Sequence, residues 1–512
     1  MHKARKRYMP AVVLTACAAL ALGTAPAATA AKAEDPTALA KKLVQKVDVN
    51  GVNRHLIALQ RISDANGKTR AASTEGHKKS AEYVATKLEA AGFDVTRQEF
   101  PFTFSQTLAE KLTVGGAATP IIAMTYTPST PVGGITAPLA LAAVDDTSGC
   151  EAGDYTGVTG KIVLIKRGGC TFAQKQATAA AAGAVGAIVY NNTDGSLNGT
   201  LGDPAVAKIP TGGITAADGA ALAGKAGQAV TLELRTVLEP RTSYNVIAET
   251  KTGRKDNVVM LGSHLDSVPE GPGINDNGTG SATLLETALQ LGATPKVNNG
   301  VRFGWWSAEE FGLVGSTYYV NQLSFEEQLN IALYLNFDMI GSPNAAYFAY
   351  DGDDSDGVGA GPGPYGSAQI EKNFTDYFAS RNLPIEGTDF TGRSDYGQFI
   401  AVGIPAGGLF TGAEGKKTAA QVVKFGGTAD VAYDKCYHQA CDNLGNVDRV
   451  ALDRNADAVA WALGSFAYST ADVNGVTPAG STAKAKAKRA NSLRLQSFGD
   501  REAGVDSDHV AA

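Results

Sequence analysis

Cysteine and histidine are both rare in this chain of 512 residues, with five of the first and six of the second. No two cysteines are separated by two residues, so a CxxC-type zinc site is excluded. Charge is modest: the formal net charge is −6, and no stretch gathers the basic residues that a nucleic-acid surface needs. Beyond residue 30 no apolar run approaches the roughly 20 residues that cross a bilayer, so no stable membrane span is expected. What remains is ordinary for a globular protein, 44% hydrophobic, with 59 glycines that fit many tight turns. Length alone suggests roughly two to four domains.

Residues 1–30 read as a secretory signal. Lys3, Arg5, Lys6 and Arg7 make a basic start, Ala11–Gly23 an apolar core too short to span a membrane well, and Ala28-Thr29-Ala30 a small-residue cleavage site. The mature chain then begins near Ala31, with 31–46 as a short pro-segment. Leu14-Thr15-Ala16-Cys17 resembles a lipoprotein box that would anchor the chain through Cys17, but that cysteine sits inside the apolar core rather than at its end. Removing the signal leaves Cys150, Cys170, Cys436 and Cys441. In an oxidising compartment these suggest two local pairs, Cys150–Cys170 and Cys436–Cys441.

The chemistry concentrates between Asn257 and Ser342. Val258–Gly262, Val301–Trp306 and Ile331–Phe337 are rich in aliphatic and aromatic residues with little alternation, as strands buried on both faces are. Gly278–Leu291 has helical apolar spacing. Strand and helix in this rhythm predict an α/β fold with a mainly parallel central sheet flanked by helices. Ligands in such sheets sit beyond the carboxyl ends of the strands. There the charged residues fall: His264 and Asp266, Glu309 and Glu310, then Asp338. A two-metal hydrolase needs ions about 3.5–4 Å apart, a bridging carboxylate, terminal ligands and a base beside the attacking water. His and carboxylate donors suit zinc, with cobalt or manganese as substitutes. His264 opens such a set, and Asp266 is placed to orient its imidazole. Asp276, in the glycine-rich turn GINDNGTG, is the natural bridge. Glu309 and Glu310 offer one carboxylate to metal and one to water, and Asp338 adds a ligand. A further imidazole is needed, and downstream only His438 and His509 remain.

HLDS, GINDNGTG, WWSAEEFGLVGS, NFDMIGS, GRSDYGQF (Gly392–Phe399) and CYHQACD (Cys436–Asp442), in that order, resemble the M28 family of two-zinc exopeptidases, and within it the secreted aminopeptidases. The resemblance covers roughly Val47–Gly134 and Leu238–Ser469. It implies two zinc ions held by His264, Asp276, Glu310, Asp338 and His438, with Asp276 bridging, Glu309 as general base and Tyr437 helping to hold the oxyanion. Alone, a Glu-Glu pair or a strand-end Asp is more often a cap or a surface pair; five ligands in family order reverse that weighing. The Cys436–Cys441 pair would brace the loop bearing Tyr437 and His438. Met339 and Phe410 resemble positions lining the side-chain pocket, and Arg393 lies in a segment that recurs near the substrate amine. Asp453 and Asp457, on the expected helix Ala451–Ala467, match carboxylates that bind calcium with help from the N-terminal segment in the resembling enzymes, Asp48 being a candidate for that N-terminal residue; surface carboxylates are the alternative. Between 135 and 235 the composition shifts to Ala, Gly and Val, and GKIVLIKRGGCTFAQK resembles a protease-associated (PA) domain, a β-rich insertion without chemistry of its own that lies over active-site mouths.

The expected layout is a signal at 1–30, a pro-segment at 31–46, a peptidase domain at 47–134 and 236–469, a PA insertion at 135–235, and a disordered or removable tail at 470–512. His509 falls in that tail, which leaves His438. His55 and His77 are expected to pack or lie at the surface. The acidic run YDGDDSDGVGAGPGPY lacks the closing Glu of a calcium loop and is expected to be a surface loop. The resemblance implies a secreted, monomeric aminopeptidase acting on peptides with a free N-terminus, large apolar first residues such as Leu preferred. A carboxypeptidase or dipeptidase of the same family would need a cationic clamp, for which the motifs offer only Arg393. A receptor on this fold would have lost ligands that this chain keeps. An aminoacyl cyclase on this fold normally goes with one zinc and no PA domain.

Overall fold

In the computed structural model, residues 35–478 are described apart from 194, 358 and 360, together with 486 and 487. The expected signal, Cys17 and His509 lie outside the described residues.

The centre of the fold is four parallel strands in the order Ala406–Phe410, Ile331–Phe337, Arg254–His264 and Asn299–Trp306. Their alternate side chains enter two separate cores, as the two-residue period of a strand requires. Val259, Leu261, Phe303, Trp305, Leu333 and Leu335 face one core, shared with the helices Val49–Ala65, Glu75–Ala90, Gly280–Leu291 and Arg449–Tyr468. Met260, Trp306 and Tyr334 face the other, where Phe399 stacks on Tyr334 at 3.8 Å between ring centres. Burial on both faces explains the unbroken apolar runs. Local chemistry starts the helices: the Asp48 carboxylate accepts from the amides of Asn50 and Gly51, Thr74 caps Glu75–Ala90, and Asp448 caps Arg449–Tyr468.

The sheet is mixed rather than all parallel. Asn299–Trp306 pairs antiparallel with Ala229–Glu249, which pairs antiparallel with Asp94–Val114. On the opposite edge, Phe348–Tyr350 joins Ala406–Phe410 antiparallel and Glu386–Thr388 in parallel. Asp94–Val114 and Ala229–Glu249 are each 21 residues long. They leave the peptidase sheet as one ribbon, and Ala229–Leu232 then pairs with Ile135–Pro138. From there Ile135–Leu141, Ile162–Lys166, Gly186–Tyr190 and Thr211–Ile214 form a second, smaller sheet with the helices Phe172–Ala181 and Ala216–Ala223. The step expected at 235/236 thus falls inside a continuous strand.

The folded unit also reaches further at both ends than composition suggests. Ala38–Val44, inside the expected pro-segment, is a helix packed on Arg449–Tyr468 with Ala40 and Leu43 buried. Thr470, Val473 and Val476, in the expected tail, are buried too. Three apolar or hydrogen-bonded residues suffice to fold back a polar stretch: Thr470 takes a 2.9 Å hydrogen bond from Asn257. Disulfides join Cys150 to Cys170 and Cys436 to Cys441. Among the described residues no helix is long and apolar enough to cross a membrane.

A Cβ at Gly464 would lie 2.3 Å from the Cα of Ala40. Gly464→Val is therefore expected to lose about 1–3 kcal/mol by overpacking, read as a lowered melting temperature, whereas Val450→Ala at the exposed start of the same helix changes little.

Candidate active site

Parallel register carries the ends of neighbouring strands to one edge. Trp306 lies beside His264, and Asn336 beside Gly262, so His264, Glu309, Glu310 and Asp338 meet just past the strand ends. Asp276 arrives from the turn after the His264 strand. Gly273 has φ +58°, and a Cβ there would meet the Asp276 carbonyl at 2.2 Å, so the turn requires glycine. Asp442 then fixes the acid from behind, accepting the amides of Asn275 and Asp276 at 2.8 and 2.9 Å. His438 comes from the loop closed by Cys436–Cys441.

The two carboxylate oxygens of Asp276 face different imidazoles, Oδ1 at 3.2 Å from His264 Nε2 and Oδ2 at 3.2 Å from His438 Nε2. Asp338 Oδ1 stands 3.3 Å from His264 Nε2, and Glu310 Oε2 stands 3.0 Å from His438 Nε2. Glu309 Oε2 is 3.9 Å from His264 Nε2. Donor atoms of His264, Asp276 and Glu310 lie within 4.8 Å of one another, as do those of His264, Glu309 and Asp338. His264 Nδ1 is nearer the Asp266 carbonyl, 3.2 Å, than the Asp266 carboxylate, 3.8 Å. That carboxylate accepts instead from the Glu309 amide at 3.3 Å. Ala308, Met339 and His438, each at or beside one of these groups, have φ of +57°, +46° and +57°, a region that costs non-glycine residues energy and clusters at functional sites.

Charge decides what this cluster can hold. The side chains of Asp266, Asp276, Glu309, Glu310, Asp338 and Asp395 are all turned away from solvent. Burial, then Asp395, Glu310 and Asp338, raises the Glu309 carboxyl well above its ordinary range against the pull of His264. Burial pushes Asp266 up to about 8 and Asp395 up to about 7. Burial also works against charge on the two imidazoles, but Asp338 and Glu309 beside His264, and Glu310 and Asp276 beside His438, raise both. His438 Nε2 stands 3.0 Å from Glu310 Oε2 and 3.2 Å from Asp276 Oδ2, yet neither it nor either oxygen of Glu310 makes a hydrogen bond of regular geometry. Buried carboxylates and an imidazole converging without donors between them fit a pair of divalent cations, and this mix of oxygen and nitrogen donors fits zinc.

Tyr437 stacks on His438 at 3.8 Å between ring centres, and its hydroxyl accepts from Arg393 Nη2 at 3.2 Å. Arg393 is paired with Glu414 at 2.8 Å. Met339 and Phe410 line a cavity of about 220 Å³ beside Glu309 and Asp338, together with Tyr350, Tyr396 and Tyr433. Asp453 and Asp457 lie elsewhere. Asp453 is exposed, Asp457 bonds Tyr377, and Asp48 is engaged as a helix cap. The acidic run after Tyr350 wraps on Asp351, whose carboxylate is buried and accepts amides of Asp353, Ser355 and Asp356. His55 is buried between Tyr83 (2.7 Å) and Glu286 (3.1 Å), and His77 lies against Ser243.

Residue-by-residue reading missed several supports. Ser394 donates to Asp338 Oδ2 at 2.7 Å while accepting from Asn336. Asp395 is fully buried among the acids. Arg70 is fully buried beneath the turn and donates to the carbonyls of Leu265, Pro272 and Gly273. Ser394, Asp395 and Asp442 sit inside the GRSDYGQF and CYHQACD motifs, which was the signal available. Nothing local marks Arg70.

Fold and site together define a metallopeptidase, and the comparisons agree. The model of peptidase family M28 matches residues 245–463 and that of the PA domain matches 135–222. A probable lipoprotein aminopeptidase of Mycobacterium tuberculosis, LpqL, is 47% identical over 440 residues, 85% of this chain and 88% of that protein. Leucine aminopeptidase 2 of Trichophyton rubrum is 46% identical over 433 residues, 83% of this chain and 86% of that protein. The solved structure of an aminopeptidase from Aneurinibacillus sp. strain AM-1 superposes with a TM-score of 0.65 at 29% identity, covering 83% of this chain and 95% of that one. BSAP, a zinc aminopeptidase from Bacillus subtilis, gives 0.60 at 27% identity over 81% of this chain and 95% of that one. The chain belongs to peptidase family M28.

Asp442→Ala removes the acceptor of the buried amides of Asn275 and Asp276. It is expected to weaken zinc binding roughly 10–100-fold and to lower the melting temperature, both read in a titration of the metal-stripped protein.

Proposed function

We propose that this chain is a zinc-dependent aminopeptidase that removes N-terminal residues, preferably large and apolar, from peptides with a free α-amine. One observation carries the reading: Asp276 turns one oxygen to His264 and the other to His438, with Glu309 alongside. Asp276 would then bridge two ions, one held by His264 and Asp338 and the other by His438 and Glu310.

When bound, the zinc pair would acidify the attacking water and polarise the scissile carbonyl. Glu309 takes the proton of the attacking water and delivers it to the leaving amine. The Tyr437 hydroxyl, oriented by Arg393, donates to the oxyanion; burial raises Tyr437 well above its ordinary range, so it keeps its proton. The substrate amine meets the carboxylates of Glu309 and Asp338. Its side chain enters the cavity lined by Met339, Tyr350, Tyr396, Phe410 and Tyr433. Apolar discrimination is worth about 1–3 kcal/mol per methylene, so preference among Leu, Met and Phe is expected rather than strict specificity. Arg393 does not offer a carboxypeptidase its clamp, because Glu414 already balances its charge.

The domain layout follows: residues from about 36 to 134 and from 236 to about 476 form the peptidase, and the segment between them forms the PA insertion. Export is proposed from the basic and apolar leader and from the two disulfides. The lipoprotein relative gives specific support to the alternative of an anchor at Cys17.

Mature protein incubated with Leu-Ala-Phe-Gly is expected to release leucine, as it does from the C-terminal amide, but not from the N-acetylated peptide, all read by mass spectrometry. A chelator stops release and added zinc restores it. Release of glycine, blocked by amidation, would reverse the polarity of the site. Glu309→Gln is expected to lower kcat by roughly 10²–10⁴ while metal content stays at two ions. Tyr437→Phe is expected to cost roughly 10²–10³ in kcat.

A further inference from the structure

Two spaces beyond the metal cluster are not needed by the reaction as drawn. A cleft of about 510 Å³ is bounded on one side by Glu310, Tyr437 and His438, and on the other by Thr125, Arg167 and Asn198. It shares Arg393, Glu414 and Tyr437 with the cavity assigned to the first side chain. A groove of about 470 Å³ continues from it on the PA side, and Glu110, Ile122, Ser196 and Leu197 line both. The groove is apolar in its depth: Leu112, Ile121, Leu197 and Ile214 are buried along it, and half-buried Ile122 stands where groove and cleft meet. Exposed Glu110 and Lys111 mark its rim.

We propose that the substrate chain downstream of the scissile bond leaves through the cleft and lays apolar side chains in this groove, so that the PA side selects among peptides by composition several residues past the cut. The proposal rests on the aminopeptidase reading. An aminopeptidase holds the amine and first side chain on one side of the scissile carbonyl, here the side of Met339 and Phe410. The remaining chain must leave by another way, and the cleft opens from the same Tyr437 and His438. An extended peptide advances about 3.3 Å per residue, so successive residues past the cut run along the cleft toward the groove. The groove offers apolar walls at its base and charge only at the rim, which favours aliphatic side chains over polar ones. The long ribbon Asp94–Val114 and Ala229–Glu249 runs from the peptidase sheet to the groove with one irregularity, between Thr107 and Ala109, so the two sites are held on one ribbon.

Leu-Ala-Ala-Leu-Leu-Lys, Leu-Ala-Ala-Ser-Ser-Lys and Leu-p-nitroanilide test this on the full-length secreted enzyme. The Leu-Leu peptide is expected to exceed the Ser-Ser peptide about tenfold in kcat/KM, a difference of about 1.4 kcal/mol. Ile122→Asp and Ala118→Arg, the second at an exposed position on the rim, are expected to abolish that gain and leave the anilide unchanged. Equal kcat/KM for the two peptides in the unmodified enzyme overturns the proposal and leaves the groove to a partner other than substrate. So does a variant that slows all three substrates alike while the other leaves the tenfold gain intact. Failure to cleave the anilide at all sinks the aminopeptidase reading instead.

Discussion

The structure depends on confining negative charge where water cannot screen it. Asp266, Asp276, Glu309, Glu310, Asp338 and Asp395 converge beneath the protein surface. Burying one unpaired carboxylate is expensive, and burying several together adds mutual repulsion. Arg70 answers part of this from below, but its own donors are committed to the carbonyls of Leu265, Pro272 and Gly273. Positive charge at the centre of the cluster must come from protons on His264 and His438 or from metal ions. Divalent ions satisfy the same oxygens and nitrogens without a hydrogen-bond donor, which is why the unpartnered atoms of Glu310 and His438 are informative.

That constraint explains the scaffold around it. Strand ends supply His264, Glu309, Glu310 and Asp338 at fixed spacing, because parallel register leaves little freedom to slide when both faces of the sheet are packed. The remaining groups come from turns, and turns need bracing. Asp442 holds two amides of the Asp276 turn, Gly273 permits its backbone path, and a disulfide closes the loop of Tyr437 and His438. Left-handed backbone at Ala308, Met339 and His438 is the cost of aiming the neighbouring side chains.

The PA insertion is tied to this centre by backbone pairing rather than by a linker. Asp94–Val114 and Ala229–Glu249 pair along nearly their whole length, with one irregularity between Thr107 and Ala109. A ribbon of two twenty-one-residue strands resists bending far more than two single connections would. Membership of peptidase family M28 therefore comes here with a second wall to the cleft, set at a defined place relative to the candidate metal ligands.

The sequence by itself determined the α/β class, the two buried faces of the central strands and the candidate ligands. Each of those signals is local: an apolar run followed at once by His264-Leu265-Asp266, by Glu309-Glu310 or by Asp338. The PA insertion and both cysteine pairs were legible for the same reason. Only the tertiary structure decided that Asp266 meets His264 first through its carbonyl, that Ser394 holds Asp338, and that Arg70 and Asp395 are fully buried. A charged residue's burial is set by partners far away in the chain, here some 200 residues for Arg70 and Gly273, and neither composition nor periodicity carries that information. How far the packed unit extends at each end was illegible on the same principle. Ala40, Thr470 and Val473 lie in polar surroundings in sequence, yet are buried because Gly464 and Asn257 make room and hydrogen bonds for them.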